Sequence, residues 1–333
     1  MPRKPTPNLS DAVAQYLGSR RNLATSTLLN DQAVLRKFAR GVGIDREVGH
    51  LTPEQIEAHF RTLDGHRASS WNKARQRIGL FQVYGRNHGW VRGPDWFRDV
   101  PKRTVPAIER LRLSPIELVE LPGLVQDPRD RALLAIAVNT GLRSGEIASL
   151  TIGDVDLDLA ELYVYRSKSK RDDRLPITAT LDRELRRWLT SYTEKVGPLD
   201  AKMLLVPGRH VPKYDAAVKG WGLGELNPRA RIRKPHAVVQ RALTAMNVET
   251  TWQEGLHTVR RSVGRAVFDH ASASGHDSAL RLTAALLGHK NVATTELYIG
   301  TDQDRRRRDD LLKAKDFLPS EQISAVTRLK SAR

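Results

Sequence analysis

The chain has 333 residues, 40% hydrophobic and 28% charged, with no cysteine, a balance that fits a globular protein of two ordinary domains. Without cysteine there are no disulfides, thiolate zinc sites or Cys nucleophile, and the composition suits a reducing cytoplasm. No apolar run approaches the roughly 18 residues of a membrane helix, and no apolar segment follows Met1-Pro2-Arg3-Lys4-Pro5, so neither a membrane nor secretion is expected. Lys and Arg number 55 against 38 Asp and Glu, a formal net charge of +17. Such an excess concentrates polyanions and points to nucleic acid, because phosphate contacts release counterions.

In chain order, residues 1–100 read as a small helical domain. Ser10 is a candidate cap for a helix carrying Val13, Tyr16 and Leu17. Leu28, Leu29, Val34, Leu35, Phe38 and Ala39 recur at near-helical spacing. Thr52-Pro53-Glu54-Gln55 has Pro at a first helical position and Gln placed for a capping box. From Ser69 to Trp90, Trp71, Ile78, Phe81 and Tyr84 alternate with Lys73, Arg75, Arg77 and Arg86. That pattern fits a helix lying on a phosphate backbone, or equally an amphipathic helix with a solvated face. Residues 101–112, with Lys102 and Arg103 among their basic side chains and two prolines, read as an interdomain linker able to cross near a duplex.

Residues 113–300 form the second predicted domain. Ser114-Pro115-Ile116-Glu117 is a capping box, and Asp127-Pro128 opens an apolar helix ending near Thr140-Gly141. Leu162, Val164 and Arg166 alternate, as do Arg174 to Ile177, predicting two strands joined by the polar run Ser167 to Asp173. Leu204 to Val206 is a further candidate strand, and Pro207 to Lys234 reads as a long loop. Helical patterns follow at Leu181 to Tyr192, Pro235 to Met246, Leu256 to Phe268 and Ala279 to Leu287. The expected class is mostly α with a small β-sheet, an α+β domain behind a helical one. Residues 301–333 hold four consecutive arginines from Arg305 and an apolar pattern to Phe317, a pattern that fits a solvated charged tail.

Four clusters carry the chemistry. Arg143 and Glu146 lie three apart, as a phosphate-binding guanidinium with its support or as a surface ion pair. Lys168, in a basic turn with Lys170 and Arg171, can reach a groove and protonate a leaving oxygen; Lys170 is the alternative donor. His257 and Arg260 share one helix turn. Gly288 is predicted to end a helix, and Tyr298 stands nine positions beyond His289. Neither HExxH nor a GxxxxGK[ST] loop is present, so no metal or cofactor is expected. Phosphoryl transfer without a metal needs guanidinium and imidazole groups around the phosphate.

In order, TGLRSGE, Lys168, HTVRR and LLGHKNVATTELYI resemble the catalytic signature of tyrosine recombinases of the phage-integrase type, over about Ser114 to Gly300. The helical first domain is similar to that family's core-binding domain. The resemblance implies that Arg143 and Arg260 bind the scissile phosphate and Lys168 protonates the 5′-oxygen. His257 manages the tyrosine proton, His289 contacts the phosphate, Glu146 supports the site and Tyr298 forms a 3′-phosphotyrosyl bond. It implies double-stranded recombination sites as substrate and a tetramer on DNA in which the tail, 301–333, docks onto a neighbouring subunit, in phage integration or excision, and allows a directionality factor or host DNA-bending protein as partner. Arg261 stands where the family often has His. The interval from Arg260 to His289 is long, placing an insertion at Ser272-Ala273-Ser274-Gly275-His276-Asp277. About eight residues precede Leu9, too few for an additional arm-binding domain. The competing expectations are a type IB-like topoisomerase and a non-catalytic DNA-binding regulator of the same fold.

Overall fold

The computed structural model describes residues 6–106, 110–211, 214–215, 220–249, 254–276 and 278–300. The predicted tail, 301–333, and Asp277 of the expected insertion lie outside the described residues. The chain divides into two compact units, Met1–Glu109 and Arg110–Arg333, each with its own apolar core.

Among the described residues the first unit has four α-helices: α1 (Leu9–Ser19), α2 (Thr25–Val42), α3 (Pro53–Arg61) and α4 (Ala68–Asn87). Its core is aromatic-rich, with Tyr16, Phe38, Phe60, Trp71, Phe81 and Trp96 buried among Leu9, Leu35, Ile56 and Ile78. The cap of α1 is Asn8 rather than Ser10: the Asn8 side chain accepts from the Asp11 amide at 2.8 Å, and Asn serves as well as Ser there. Leu29 faces solvent, outside the apolar stripe of α2. On α3 Gln55 makes its half of the expected capping box, its Oε1 accepting from the Thr52 amide at 3.2 Å. The start of the predicted linker is fastened to this unit. Trp71 Nε1 donates to the Pro101 carbonyl at 3.3 Å, and Asn72 exchanges hydrogen bonds of 2.8 and 2.9 Å with the Arg103 backbone.

His59 has an acid-sensitive place in this core. Its ring is buried edge-on to Phe38 and Phe60, and Nδ1 has no hydrogen-bond partner among the described residues. Burial, then the charge of Lys37, lowers its pKa from 6.5 to about 4. Between those values the unfolded chain binds more protons, so stability rises with pH, is complete above 6.5 and falls below it. This histidine alone accounts for a loss of up to about 3 kcal/mol across the window. Denaturation midpoints measured from pH 7 to 4 are expected to fall, and His59→Leu to make the slope shallower; an unchanged slope would contradict this account.

In the second unit, α5 (Pro115–Glu120) begins at the Ser114–Glu117 capping box, and α6 (Pro128–Thr140) begins at Asp127 and ends at left-handed Gly141. Ala132 to Ala137 are all buried, so α6 is a central helix, apolar all round. After α7 (Ser144–Ile147), strands β1 (Val155–Asp156), β2 (Glu161–Arg166) and β3 (Arg171–Pro176) form an antiparallel sheet in that order. Leu162 pairs with Leu175 and Arg166 with Arg171, so the polar run expected from 167 to 173 shortens to a turn at 167–170. Helix α8 (Ala179–Val196) follows.

The segment from Pro207 to Lys234 is not the expected loop. Strand β4 (Pro207–Arg209) pairs antiparallel with β7 (Leu226–Arg231), and β5 (Tyr214–Asp215) pairs with β6 (Gly220–Trp221). Long-range pairing supplies this order, with Leu226 buried as its anchor. Leu204 to Val206 is not a strand; Leu204 makes an isolated bridge to Thr151, and the Leu204 and Leu205 amides donate to the carbonyls of Pro228 and Leu150.

Helices α9 (Pro235–Ala245), α10 (Leu256–Ala273), α11 (Ala279–Leu287) and α12 (Val292–Ile299) follow among the described residues. α10 packs on α6, α9, α11 and α12. It approaches the last two at Gly264, where a Cβ would stand 2.8 Å from Leu287 Cδ1 and 3.1 Å from Ile299 Cγ2. The expected insertion begins inside α10, whose last two residues are Ser272 and Ala273. The fold is mostly α with small β-sheets, as expected.

Candidate active site

Five short segments of the second unit converge. The turn from Gly141 to α7 supplies Arg143, the β2–β3 turn Lys168, the start of α10 His257 and Arg260, the α11–α12 turn His289, and α12 Tyr298. The left-handed Gly288 ends α11, as its sequence predicts. Asn291 then caps α12, its side chain accepting from the Ala293 amide at 2.9 Å.

Arg143 and Glu146 are not a surface pair. Glu146 is 2% exposed; it accepts from the Arg143 amide at 2.8 Å and from Arg143 Nη1 at 2.9 Å. Its carboxylate also meets Arg166 at 3.3 Å and Arg260 at 4.0 Å. Burial opposes its ionisation, but the Arg143 hydrogen bonds and the charges of Arg166 and Arg143 prevail and hold its pKa below the ordinary range. Its stabilisation is therefore present above about pH 4.5 and lost as the pH falls through the depressed folded value. Glu146→Gln removes the charge shared by three guanidinium groups and should cost about 2 kcal/mol, read as a lower denaturation midpoint at pH 7. A midpoint equal to wild type would count against the role of Glu146 as their common counterion.

Arg260 is 1% exposed. Nη1 donates to the Gly141 carbonyl at 2.6 Å and Nη2 to that of Leu287, and Nη2 lies 3.3 Å from His289 Nε2. One cation thus closes the carboxyl ends of α6 and α11, where helix dipoles favour positive charge. Burial, then the charge of Arg143, lowers its pKa to about 10, which leaves it protonated at neutral pH. His289 Nδ1 is 2.9 Å from Thr295 Oγ1. Burial and the neighbouring charges of Arg260, Arg143, Arg166 and Lys168 lower its pKa to about 4.

Tyr298 sits edge-on to His289, ring centroids 5.3 Å apart, with the Arg260 guanidinium 5.8 Å from its ring centre. Its hydroxyl donates to the His257 carbonyl at 3.1 Å and lies 3.4 Å from His257 Nδ1. Burial raises the Tyr298 pKa, against the opposing charges of Arg260, Arg261 and Arg143. His257 is exposed, yet partial desolvation by its neighbours, then the charges of Arg260, Lys168, Arg143 and Arg261, lowers its pKa. At neutral pH the phenol keeps its proton and the imidazole is free to accept one, and the two shifts hold that proton on Tyr298 in the free protein.

Lys168 and Lys170 are both exposed in the β2–β3 turn, Lys170 in a left-handed conformation, and Arg171 is exposed at the start of β3. The Lys168 charge is among those that depress both histidines. In the first unit, Lys73, Arg86 and Lys102 are exposed. Arg86 also donates to the Gly93 carbonyl at 3.4 Å, and three other candidates have closer intramolecular partners. Arg75 donates to the Val100 carbonyl at 2.6 Å, Arg77 pairs with Asp31 at 2.8 Å, and Arg103 stacks 3.4 Å from the Trp71 ring centre while pairing with Asp64. Among the described residues no group of three or more His, Asp or Glu is placed to hold a metal, and no helix is long and apolar enough to cross a membrane.

Arg166, Asp173 and Thr295 join the site without having been expected there, and the buried Arg261 adds its charge beside Tyr298. For Arg166 a signal existed: it continues the inward phase of Leu162 and Val164 on β2, and a charge in an apolar phase needs buried partners.

The phage integrase family profile matches residues 117–305, more than half of the chain. The chain belongs to the phage integrase family. It is 25% identical over 311 residues to the tyrosine recombinase XerC of Herpetosiphon aurantiacus, covering 87% of this chain and 89% of that one. It is 27% identical over 275 residues to the tyrosine recombinase XerD of Pseudomonas aeruginosa, 81% of each. Its fold is similar to that of a lambda integrase dimer bound to a COC′ core site, with a TM-score of 0.65 at 18% identity over 90% of this chain and 97% of that one. A lambda integrase tetramer bound to a Holliday junction gives 0.64 at 18% identity, over 88% and 77%.

Proposed function

We propose that this chain is a site-specific DNA recombinase that breaks and rejoins DNA through a 3′-phosphotyrosyl intermediate at Tyr298. The observation that carries this reading is the Tyr298 hydroxyl 3.4 Å from His257 Nδ1 and beside the buried Arg260. Arg143 and Arg260 neutralise the scissile phosphate, and His289 contacts it. As the Tyr298 oxygen bonds to phosphorus, its proton passes to the neutral His257. The bond from phosphorus to the 5′-oxygen breaks, and Lys168 protonates that oxygen. Ligation runs the same steps backwards with a partner strand, and because one phosphodiester replaces another, no ATP is consumed.

The relatives named as tyrosine recombinases and the integrases of like fold on DNA support double-stranded DNA as the substrate and a tetramer as the working assembly. Phage integration or excision is the setting proposed, with Lys73, Arg86, Lys102, Lys170 and Arg171 available to backbone phosphates. The test uses duplexes carrying two copies of the protein's binding site, selected from random sequence. Recombinant products are expected. Relaxation of supercoiled plasmid without exchange between sites would favour a topoisomerase, and DNA binding without either would favour a regulator.

A further inference from the structure

Arg166 ends β2 with its side chain wholly buried, and a buried guanidinium is costly unless its donors find acceptors. They find them on three separate segments. Nε donates to Asp173 on β3 at 3.0 Å, Nη1 to Glu146 at 3.3 Å, and Nη2 to the Leu286 carbonyl near the end of α11 at 2.9 Å. Gly288, with φ +59°, lies against the same guanidinium; a Cβ there would come 3.1 Å from Arg166 Nε.

Each of those segments bears a member of the proposed machinery. Glu146 holds Arg143, Gly288 precedes His289, and the β2–β3 turn begins one residue past Arg166 and carries Lys168. Asp173 pairs in register with Val164 rather than Arg166, so the Arg166–Asp173 bond crosses the hairpin diagonally just below its turn. Among the described residues Lys168 makes no hydrogen bond or ion pair, so its place is set by the backbone of that hairpin. We propose that Arg166 is a positioning residue for DNA cleavage, fixing the β2–β3 turn, and Lys168 with it, against the Arg143–Glu146 pair and the His289 turn. This rests on the reading of Lys168 as the proton donor to the leaving 5′-oxygen.

The test compares cleavage of an ordinary substrate with one carrying sulfur in place of the bridging 5′-oxygen at the scissile phosphate. A thiolate has a lower pKa and departs without a proton donor, so a defect in proton donation disappears on the sulfur substrate. A defect in phosphate binding, in the nucleophile or in folding does not. Arg166→Gln is expected to slow the ordinary substrate by on the order of 10- to 100-fold, as small misplacements of catalytic groups do, and to recover most of that rate with sulfur. Arg166→Lys, which keeps the charge but loses the fork, should fall between. Asp173→Asn, at a partly exposed position, loosens only the hairpin contact and should show a smaller loss with the same recovery; it decides the matter if Arg166→Gln does not fold. Equal losses on both substrates in these variants, or no loss on the ordinary one, would overturn the proposal. Wild type and Lys168→Ala serve as references. Absence of a wild-type adduct, or a Lys168→Ala defect that sulfur does not relieve, would instead show that the underlying reading of the site has failed.

Discussion

Tyr298→Phe should abolish covalent attachment to DNA while leaving DNA affinity within a few-fold of wild type, since phosphate contacts dominate affinity. The substitution removes one oxygen and keeps the ring that packs edge-on to His289 and beside Arg260. In the free protein that oxygen donates to the His257 carbonyl, at a partly exposed position, so little stability depends on it. Phenylalanine has no atom able to bond phosphorus, so the loss should be complete rather than graded. A nicked substrate that traps the covalent intermediate, run on a denaturing gel, reads the result. Residual adduct in this variant would move the nucleophile to another of the seven tyrosines.

Arg260→Ala is the second large effect. Loss of one preorganised donor to a developing oxyanion costs on the order of 10² to 10³ in rate, and Arg260 also has a structural task. Its two terminal nitrogens close the carbonyls of Gly141 and Leu287, so alanine leaves two helix ends without that donor and Glu146 with one cation fewer. A fall in both the cleavage rate and the denaturation midpoint is expected. Arg260→Lys keeps a charge but has no planar fork for two carbonyls at once, and should restore stability more than rate. Single-turnover cleavage at saturating protein separates the rate from the binding deficit. A variant that cleaves at the wild-type rate would remove Arg260 from the site.

The parts of this protein that were legible in its sequence are those fixed by local chemistry. Thr52-Pro53 and Ser114-Pro115 start helices because cap and proline act over one turn. Gly288 ends α11 because it takes a left-handed φ there. The order of Arg143, His257, Arg260, His289 and Tyr298 was legible as a resemblance, and the fold brings these residues together. What stayed hidden depends on distant partners. Arg75, Arg77 and Arg103 look identical to DNA-contacting residues until Val100, Asp31 and Asp64 are placed beside them. The β4–β7 ribbon arises from pairing across a Gly- and Pro-rich stretch with no alternation of its own. Arg166 was visible as an inward-facing residue of β2, but its role follows from Glu146, Asp173 and Leu286, up to 120 positions away.

The central claim, attack by Tyr298 on the scissile phosphate, is tested most directly by identifying the linkage itself. The trapped complex would be digested with protease and nuclease, and the surviving nucleotide-bearing peptide sequenced by mass spectrometry. The expected product is a single peptide with Tyr298 joined through phosphate to the 3′ end of the cleaved strand. A link through any other residue, or to a 5′ end, would contradict it.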